Sequence, residues 1–323
     1  MIHLINFIKL IRPINLLIIV LIQCLIKYLL INYFIDLPAL SNFNFLLLVT
    51  STVLITAGGY IINDIYDVDV DKINKNKSRI INKKLSARIA IFWYFFLNTT
   101  ALIMIIYVSY IIKQLTFSLI FFYSIFSLWK YSKNLKTSFL RGNLLVSWLV
   151  ALSIINLGLF DVIPIIANNN SSEIIFKIIL LYAFFSFLMT FSREIIKDIE
   201  DEGGDKTINA NTLIIRLGLY KTKLIINSVN FLVFILIGLW QYFQYSLSQT
   251  QFNLPEDQKM IIWGTDSGSI LYVIIIQLLL IFYIIKCSIS HSKEDFSFLS
   301  KFSKFIMITG ILSIAIFTYN YIN

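Results

Sequence analysis

The sequence predicts an all-α polytopic membrane protein with nine transmembrane helices, and three observations carry that prediction. Of 323 residues, 58% are hydrophobic and only 14% charged, with a mean hydropathy of +0.80, far outside the soluble range. A bilayer-spanning helix uses about 20 apolar residues, so roughly nine spans absorb nearly all of this inventory and leave little for a soluble domain. Finally, the basic residues fall into alternate loops, as they do in membrane proteins.

Taken in order, the apolar run over 14–35 follows the short basic lead-in of Lys9 and Arg12. It is longer than a signal-peptide core and lacks an A-x-A cleavage pattern, so it reads as a retained first span. Runs over 44–66 and 88–112 follow. Only Lys113 and Gln114 separate the third run from a fourth at 115–130, and about forty apolar residues are too many for one crossing, so a tight hairpin is expected there. Runs at 141–161, 172–193, 222–245, 268–287 and 303–321 complete the set. The 244–268 segment carries Pro255, Glu256 and Asp257 and is expected to pack on the outer face. Cys24 and Cys287 form no CxxC pair and signal neither a disulfide framework nor a zinc site.

With nine spans, 23 of the 27 Lys and Arg residues lie on one side; the exceptions are Lys27, Lys113, Lys177 and Lys259. The positive-inside rule makes that side cytoplasmic and puts the N-terminus there, as for a protein of a bacterial-type cytoplasmic (inner) membrane. The net charge of +9 is therefore a topological signal, and no nucleic-acid partner is expected.

The acidic residues are more informative. Ten of 18 occupy two stretches at the expected cytoplasmic ends of the second and sixth spans: Asp64, Asp67, Asp69 and Asp71, then Glu194, Asp198, Glu200, Asp201, Glu202 and Asp205. Asp64, Asp67 and Asp71 follow an i, i+3, i+7 spacing, which at about 100° per residue puts them within an arc of about 60° on one helix face. Asp198, Asp201 and Asp205 repeat that spacing, with Glu194 on the same arc. Gly203 and Gly204 are expected to end the regular helix before Asp205. The matched patterns suggest two equivalent halves, about 10–135 and 140–323, facing a shared cavity.

Carboxylates crowded at a membrane boundary repel one another unless cations neutralise them. Mg²⁺ is commonly held by one or two carboxylates together with substrate phosphates, so the expected ligand is a diphosphate bridged by Mg²⁺. Lys72, Lys75, Lys77 and Arg79 after the first cluster, and Arg193, Lys197 and Lys206 around the second, are placed to take up charge on a departing diphosphate. A calcium EF-hand over Asp67, Asp69 and Asp71 is rejected, because Lys72 takes the required glycine position and Ser78 that of the bidentate glutamate.

At these residues the sequence resembles the UbiA superfamily of intramembrane prenyltransferases, and in the run Ala57 to Asp64, the short N-terminus and the overall length it is most similar to members that act on a lipid glycerol phosphate. The family's first motif is matched by Asn63, Asp64, Asp67, Asp71 and Asn74, and its second by Arg193, Glu194, Lys197, Asp198, Asp201 and Asp205. Between them stand the YSxxLK and GN elements, Tyr131, Ser132, Leu135, Lys136, Gly142 and Asn143, and the Arg12-Pro13 lead-in with Asn15 is similar to the family's first helix. Ile80 and Ile214 stand where the family often has proline, which bears on loop geometry.

The resemblance implies one domain over 1–323, with nine helices around a central cavity, a cytoplasmic cap and a lateral opening to lipid. It implies Mg²⁺-dependent transfer of a polyprenyl group from its diphosphate to a lipophilic acceptor, a glycerol-phosphate lipid precursor. Asp64, Asp67, Asp71, Asp198, Asp201 and Asp205 would be the catalytic and metal-binding residues. Asn15, Asn63, Asn74, Lys75, Arg79, Tyr131, Lys136, Asn143, Arg193 and Lys197 would bind substrate. Tyr60, Tyr66, Tyr131 and Tyr182 are candidates for the electron-rich wall that an allylic cation needs, although membrane-core packing explains each singly. An aromatic quinone precursor is the alternative acceptor. A transporter is the alternative of a different class, but it calls for acids at the bilayer midplane on broken helices. Lys27, inside the first span, reads as a structural residue that snorkels or pairs with an acid.

Overall fold

The computed structural model describes residues 2–68, 80–168, 170–249 and 262–322. Among them the chain is almost wholly helical, and its sole β-type pairing is the isolated bridge between Ile81 and Leu85. Ten helices run in order: α1 (Ile2–Leu10), α2 (Pro13–Phe34), α3 (Asn42–Tyr66), α4 (Ala87–Ile111), α5 (Ser118–Lys130), α6 (Arg141–Asp161), α7 (Asn170–Thr207), α8 (Leu213–Gln249), α9 (Ser267–Ile289) and α10 (Lys293–Ile322).

Local sequence sets their ends. Pro13 opens α2, where its missing N–H costs nothing. Ser41, Ser86 and Asp266 cap α3, α4 and α9 by accepting from backbone N–H groups of the first turn. Lys113 takes a left-handed φ of 58° and the Gln114 N–H donates to the Ser109 carbonyl at 2.9 Å, which makes the expected hairpin. Gly218, at φ 75°, kinks α8 one turn after its start.

Eight of these helices, among the described residues, are long and apolar enough to cross a membrane, and the protein is integral to it. The expected span at 115–130 is not among these eight. Regular α-helix there covers only 13 residues, with a 3₁₀ turn (Leu115–Phe117) before it and a π-helical turn (Tyr131–Leu135) after it. The Lys113 hairpin tightens one end and the π turn widens the other. Large apolar side chains such as Leu17, Phe92, Phe95, Leu119 and Leu278 point outward, as expected where the solvent is lipid.

The second half of the chain closes on itself: α7 packs on α8, α8 on α9, α9 on α10 and α10 back on α7. In the first half α3 packs against α4 and α5, and α2 is wedged among α3, α6 and α10. At 1.5 Å per residue, the 38 residues of α7 reach about 57 Å, nearly twice the roughly 30 Å hydrocarbon thickness. The stop expected at Gly203-Gly204 is therefore corrected: the helix continues through both glycines to Thr207. The Glu202–Lys206 pair at 2.7 Å braces that turn, the Thr207 hydroxyl donates to the Gly204 carbonyl at 2.7 Å, and the Ala210 N–H closes the end on the Asp205 carbonyl.

Lys27 is fully buried at the start of a π-helical turn (Ile26–Ile31) in α2. Its ammonium donates to Asp161 Oδ2 at 2.7 Å and to the Leu40 carbonyl at 2.9 Å, and Asp161 Oδ1 accepts the Leu40 N–H at 2.7 Å. Every partner of this buried charge is thus supplied by structure, as expected for Lys27. The residues of the 244–268 segment at 250–261 lie outside the described set; Trp263, just after them, packs edge-on against Phe317.

Candidate active site

A cavity of about 310 Å³ opens among α2, α3, α5, α6, α7 and α10, and both acidic motifs border it. From the first motif, Asn63 and Asp67 line it. Asp67 ends α3, and its N–H donates to the Asn63 carbonyl at 2.9 Å. Its Oδ2 accepts from the Asn63 amide at 2.7 Å and from the Lys136 ammonium. Asp64 stands just behind the lining and pairs with Arg12, which lines the cavity and whose Nη2 lies 2.8 Å from Oδ1. Asp71, Asn74, Lys75 and Arg79 lie outside the described residues.

Arg12 takes φ 54° ahead of Pro13. Its guanidinium sits 4.7 Å from the centre of the Tyr60 ring. Burial alone would lower its pKa, but the Asp64 carboxylate, with Tyr60 and Asp67, outweighs that and raises it. Asn15, one turn into α2, donates to the Tyr60 hydroxyl at 3.0 Å and accepts from Lys304 at 2.9 Å.

The second motif enters on α7. Arg193, Glu194, Lys197, Asp198 and Asp201 all line the cavity. Glu194 Oε1 holds Arg193 at 2.9 Å and Lys197 at 2.6 Å, which points both cations inward. Asp198 Oδ2 accepts the Asn143 amide at 2.8 Å. Asp205 is buried but stands off the lining.

The segment joining α5 to α6 bridges the two motifs. A five-residue hydrogen bond, Lys136 N–H to the Tyr131 carbonyl at 3.0 Å, turns Tyr131 and Lys136 to the cavity; π turns of this kind recur at functional sites. A Cβ on Gly142 would lie 2.7 Å from the Leu135 carbonyl oxygen, so only glycine lets the start of α6 come this close. That contact places Lys136 against Asp67 and Asn143 against Asp198 from one short stretch of chain.

The described lining carries five cations (Arg12, Lys136, Arg193, Lys197, Lys304) and four carboxylates (Asp67, Glu194, Asp198, Asp201). Such a mixture favours a polyanion accompanied by a metal cation over either alone. No three acidic, histidine or cysteine groups converge on one point among the described residues. One carboxylate from each motif, with oxygen donors left to the ligand, nevertheless fits the Mg²⁺ habit of few protein ligands. The expected residues thus gather in one site, except Asp64 and Asp205, which sit beside it, and the four that are not described. Asn143 joins through Asp198.

The motif reading passed over two basic side chains, Arg12 and Lys304. Arg12 was legible only as a lead-in. Lys304 stands at the very start of the last apolar run, one turn after Lys301, and a cation at the edge of a span that has a partner nearby is the signal that finds it. Of the four tyrosines, Tyr60 and Tyr131 line the cavity, whereas Tyr66 is exposed and Tyr182 lines a different space.

The chain is also similar to known proteins. A model described as the UbiA prenyltransferase family matches residues 24–252. The chain is 38% identical over 173 residues to a digeranylgeranylglyceryl phosphate synthase of Saccharolobus solfataricus, an alignment covering 52% of this chain and 55% of that protein. The chain thus spans about half the length of the first archaeal relatives it matches. A solved structure of a digeranylgeranylglyceryl phosphate synthase covers 99% of this chain and 100% of its own, with a TM-score of 0.64 and 23% identity. A UbiA homologue of Archaeoglobus fulgidus bound to DMAPP and Mg²⁺ superposes with a TM-score of 0.56 and 13% identity, covering 96% and 99%. At these identities the structures show the shared fold.

Proposed function

The chain belongs to the UbiA prenyltransferase family, and from that membership we propose that it transfers a polyprenyl group, with Mg²⁺, from its diphosphate to the hydroxyl of a glycerol-phosphate lipid. The observation that carries this reading is the pairing of Asp67 and Asp198 across one cavity whose mouth also holds Arg12, Lys136, Arg193, Lys197 and Lys304. The names of the relatives, which are digeranylgeranylglyceryl phosphate synthases, favour this acceptor over an aromatic one.

Asp67 and Asp198 would hold the metal, with Asp64, Asp71, Asp201 and Asp205 completing the charge around it. Mg²⁺ would supply charge neutralisation of the diphosphate oxygens. The chain's own cations do the rest. Arg193, Lys197 and Lys136 bind the diphosphate, as Lys75, Arg79, Asn63 and Asn74 would from the first motif. As the allylic C–O bond breaks, its electron pair leaves with the diphosphate, and these cations stabilise the charge. Tyr60 and Tyr131 face the allylic cation with their rings. The acceptor oxygen then bonds to the allylic carbon, and its proton passes to the departing diphosphate. Arg12, Asn15 and Lys304, joined through the Asn15–Lys304 hydrogen bond beside Tyr60, orient the acceptor phosphate.

The positive-inside asymmetry supports a cytoplasmic site and N-terminus, and the matched motifs support a single domain of two halves. Purified protein given geranylgeranyl diphosphate, Mg²⁺ and either a prenylated glycerol phosphate or an aromatic acid tests the reading. Ether formation with the first acceptor is expected; transfer to neither acceptor overturns it. Labelling of a cysteine placed at Lys133 from one membrane side only tests the orientation.

A further inference from the structure

Beside the motif-lined cavity lies a second one, of about 120 Å³, enclosed by the ring α7 to α10. No charged residue lines it; its walls include Met189, Val233, Trp240, Ile276 and Phe317. Two pairs of its polar groups are engaged, with the Tyr182 hydroxyl 2.6 Å from that of Ser313 and the Gln241 amide on the Gly264 carbonyl at 3.0 Å. Phosphates, sugars and aromatic acids therefore find no partner in it, and a hydrocarbon does.

Its shape narrows the occupant. The lining runs from Ile178 to Met189 along α7 and from Ile306 to Phe317 along α10, roughly 16 Å at 1.5 Å per residue. That is a slot for an extended chain lying parallel to the helices. Met307 lines both this slot and the motif-lined cavity. A flexible, unbranched side chain is thus the partition. At Gly310, one turn further along α10, an added Cβ would meet nothing within 4 Å, so this wall is open where a chain would pass.

We propose that the second cavity holds the isoprenoid chain of the acceptor lipid. The inference rests on the function proposed above: two long chains must bring their polar heads to one site, and the motif-lined cavity and the slot are two neighbouring spaces that meet at Met307. The slot across Met307 is the neighbouring apolar space, and its contact with the Lys304 side of the mouth through α10 puts the acceptor phosphate near Asn15 and Lys304.

The test narrows the slot with Gly310→Leu and, from α7, with Ser186→Leu, and compares glycerol phosphates carrying a geranylgeranyl chain or a single isoprene unit. In both variants the KM for the long-chain acceptor should rise about tenfold. The KM values for the short-chain acceptor and for geranylgeranyl diphosphate should stay within about twofold. Equal effects on both acceptors, or none, would overturn the proposal. So would a raised KM for the donor, which would put the donor chain in the slot, or loss of a copurifying membrane phospholipid with acceptor KM unchanged. If one variant does not fold, the other decides. Absence of transfer by the unsubstituted protein would strike the function instead, and the slot is then read by binding: retention of labelled geranylgeranylglycerol phosphate by the unsubstituted chain but not by Gly310→Leu supports it, and equal retention refutes it.

Discussion

The Asn143 amide donates to Asp198 Oδ2 at 2.8 Å, tying the first turn of α6 to the second acidic motif. A hydrogen bond to a charged group contributes about 1.5–3 kcal/mol. Asn143→Ala is therefore expected to lower kcat by about ten- to a hundredfold and to raise the Mg²⁺ concentration for half-maximal rate, because Asp198 then turns freely. Asn143→Asp should be worse, since it sets two like charges together. A Mg²⁺ titration of the initial rate checks both.

Removing the metal should stop the reaction altogether. Excess EDTA is expected to abolish turnover and Mg²⁺ to restore it, while Asp67→Ala and Asp198→Ala each cost roughly 10²- to 10³-fold or more in kcat. Activity that persists in EDTA would remove the basis for pairing these two carboxylates around a cation.

Gly142 has its hypothetical Cβ 2.7 Å from the Leu135 carbonyl oxygen, a backbone atom that cannot swing aside. Gly142→Ala should cost about 1–3 kcal/mol of overpacking and displace Lys136 and Asn143 together. A fall in melting temperature with loss of activity is expected, and neither Lys136→Ala nor Asn143→Ala alone should reproduce the thermal shift.

Arg12 both pairs with Asp64 and stacks on Tyr60. Lysine keeps the charge but loses the planar fork, so Arg12→Lys should recover only part of what Arg12→Ala loses. Steady-state kinetics with the acceptor varied measures this. Full rescue by lysine would mean that charge alone matters.

Lys27 and Asp161 form an ion pair whose side chains are 1% and 0% exposed. Removing one partner leaves a buried charge, so Lys27→Met should destabilise by about 3–5 kcal/mol, and Lys27→Met with Asp161→Asn should lose less. Lys27 sits about 18 Å along α2 from Asn15 at 1.5 Å per residue. The substrate KM values of whatever folded protein remains should accordingly be unchanged.

The hairpin at Lys113 and Gln114 and the long apolar helices were legible because each rests on local chemistry or run length. The helix ends were not. The stop expected at Gly203-Gly204 ignored the Glu202–Lys206 brace and the turn closed on Asp205, and nothing in the apolar run at 115–130 announced the π turn after it that re-aims Tyr131 and Lys136. Glycine propensity is a weak prior, and a handful of tertiary bonds overrides it.

By itself the sequence determined the solvent and the chemistry. Apolar run lengths answer to bilayer thickness, and the carboxylates from Glu194 to Asp205 crowd together because α7 is helical through all of them. Only the tertiary structure decided which side chains meet. Arg12 and Lys304, distant in sequence, converge through Asn15 and Tyr60, Asp64 stands just behind the lining while Asp67 faces the cavity, and Met307 divides two spaces. Those placements depend on how whole helices pack, and no local pattern along one chain encodes the distance between two others.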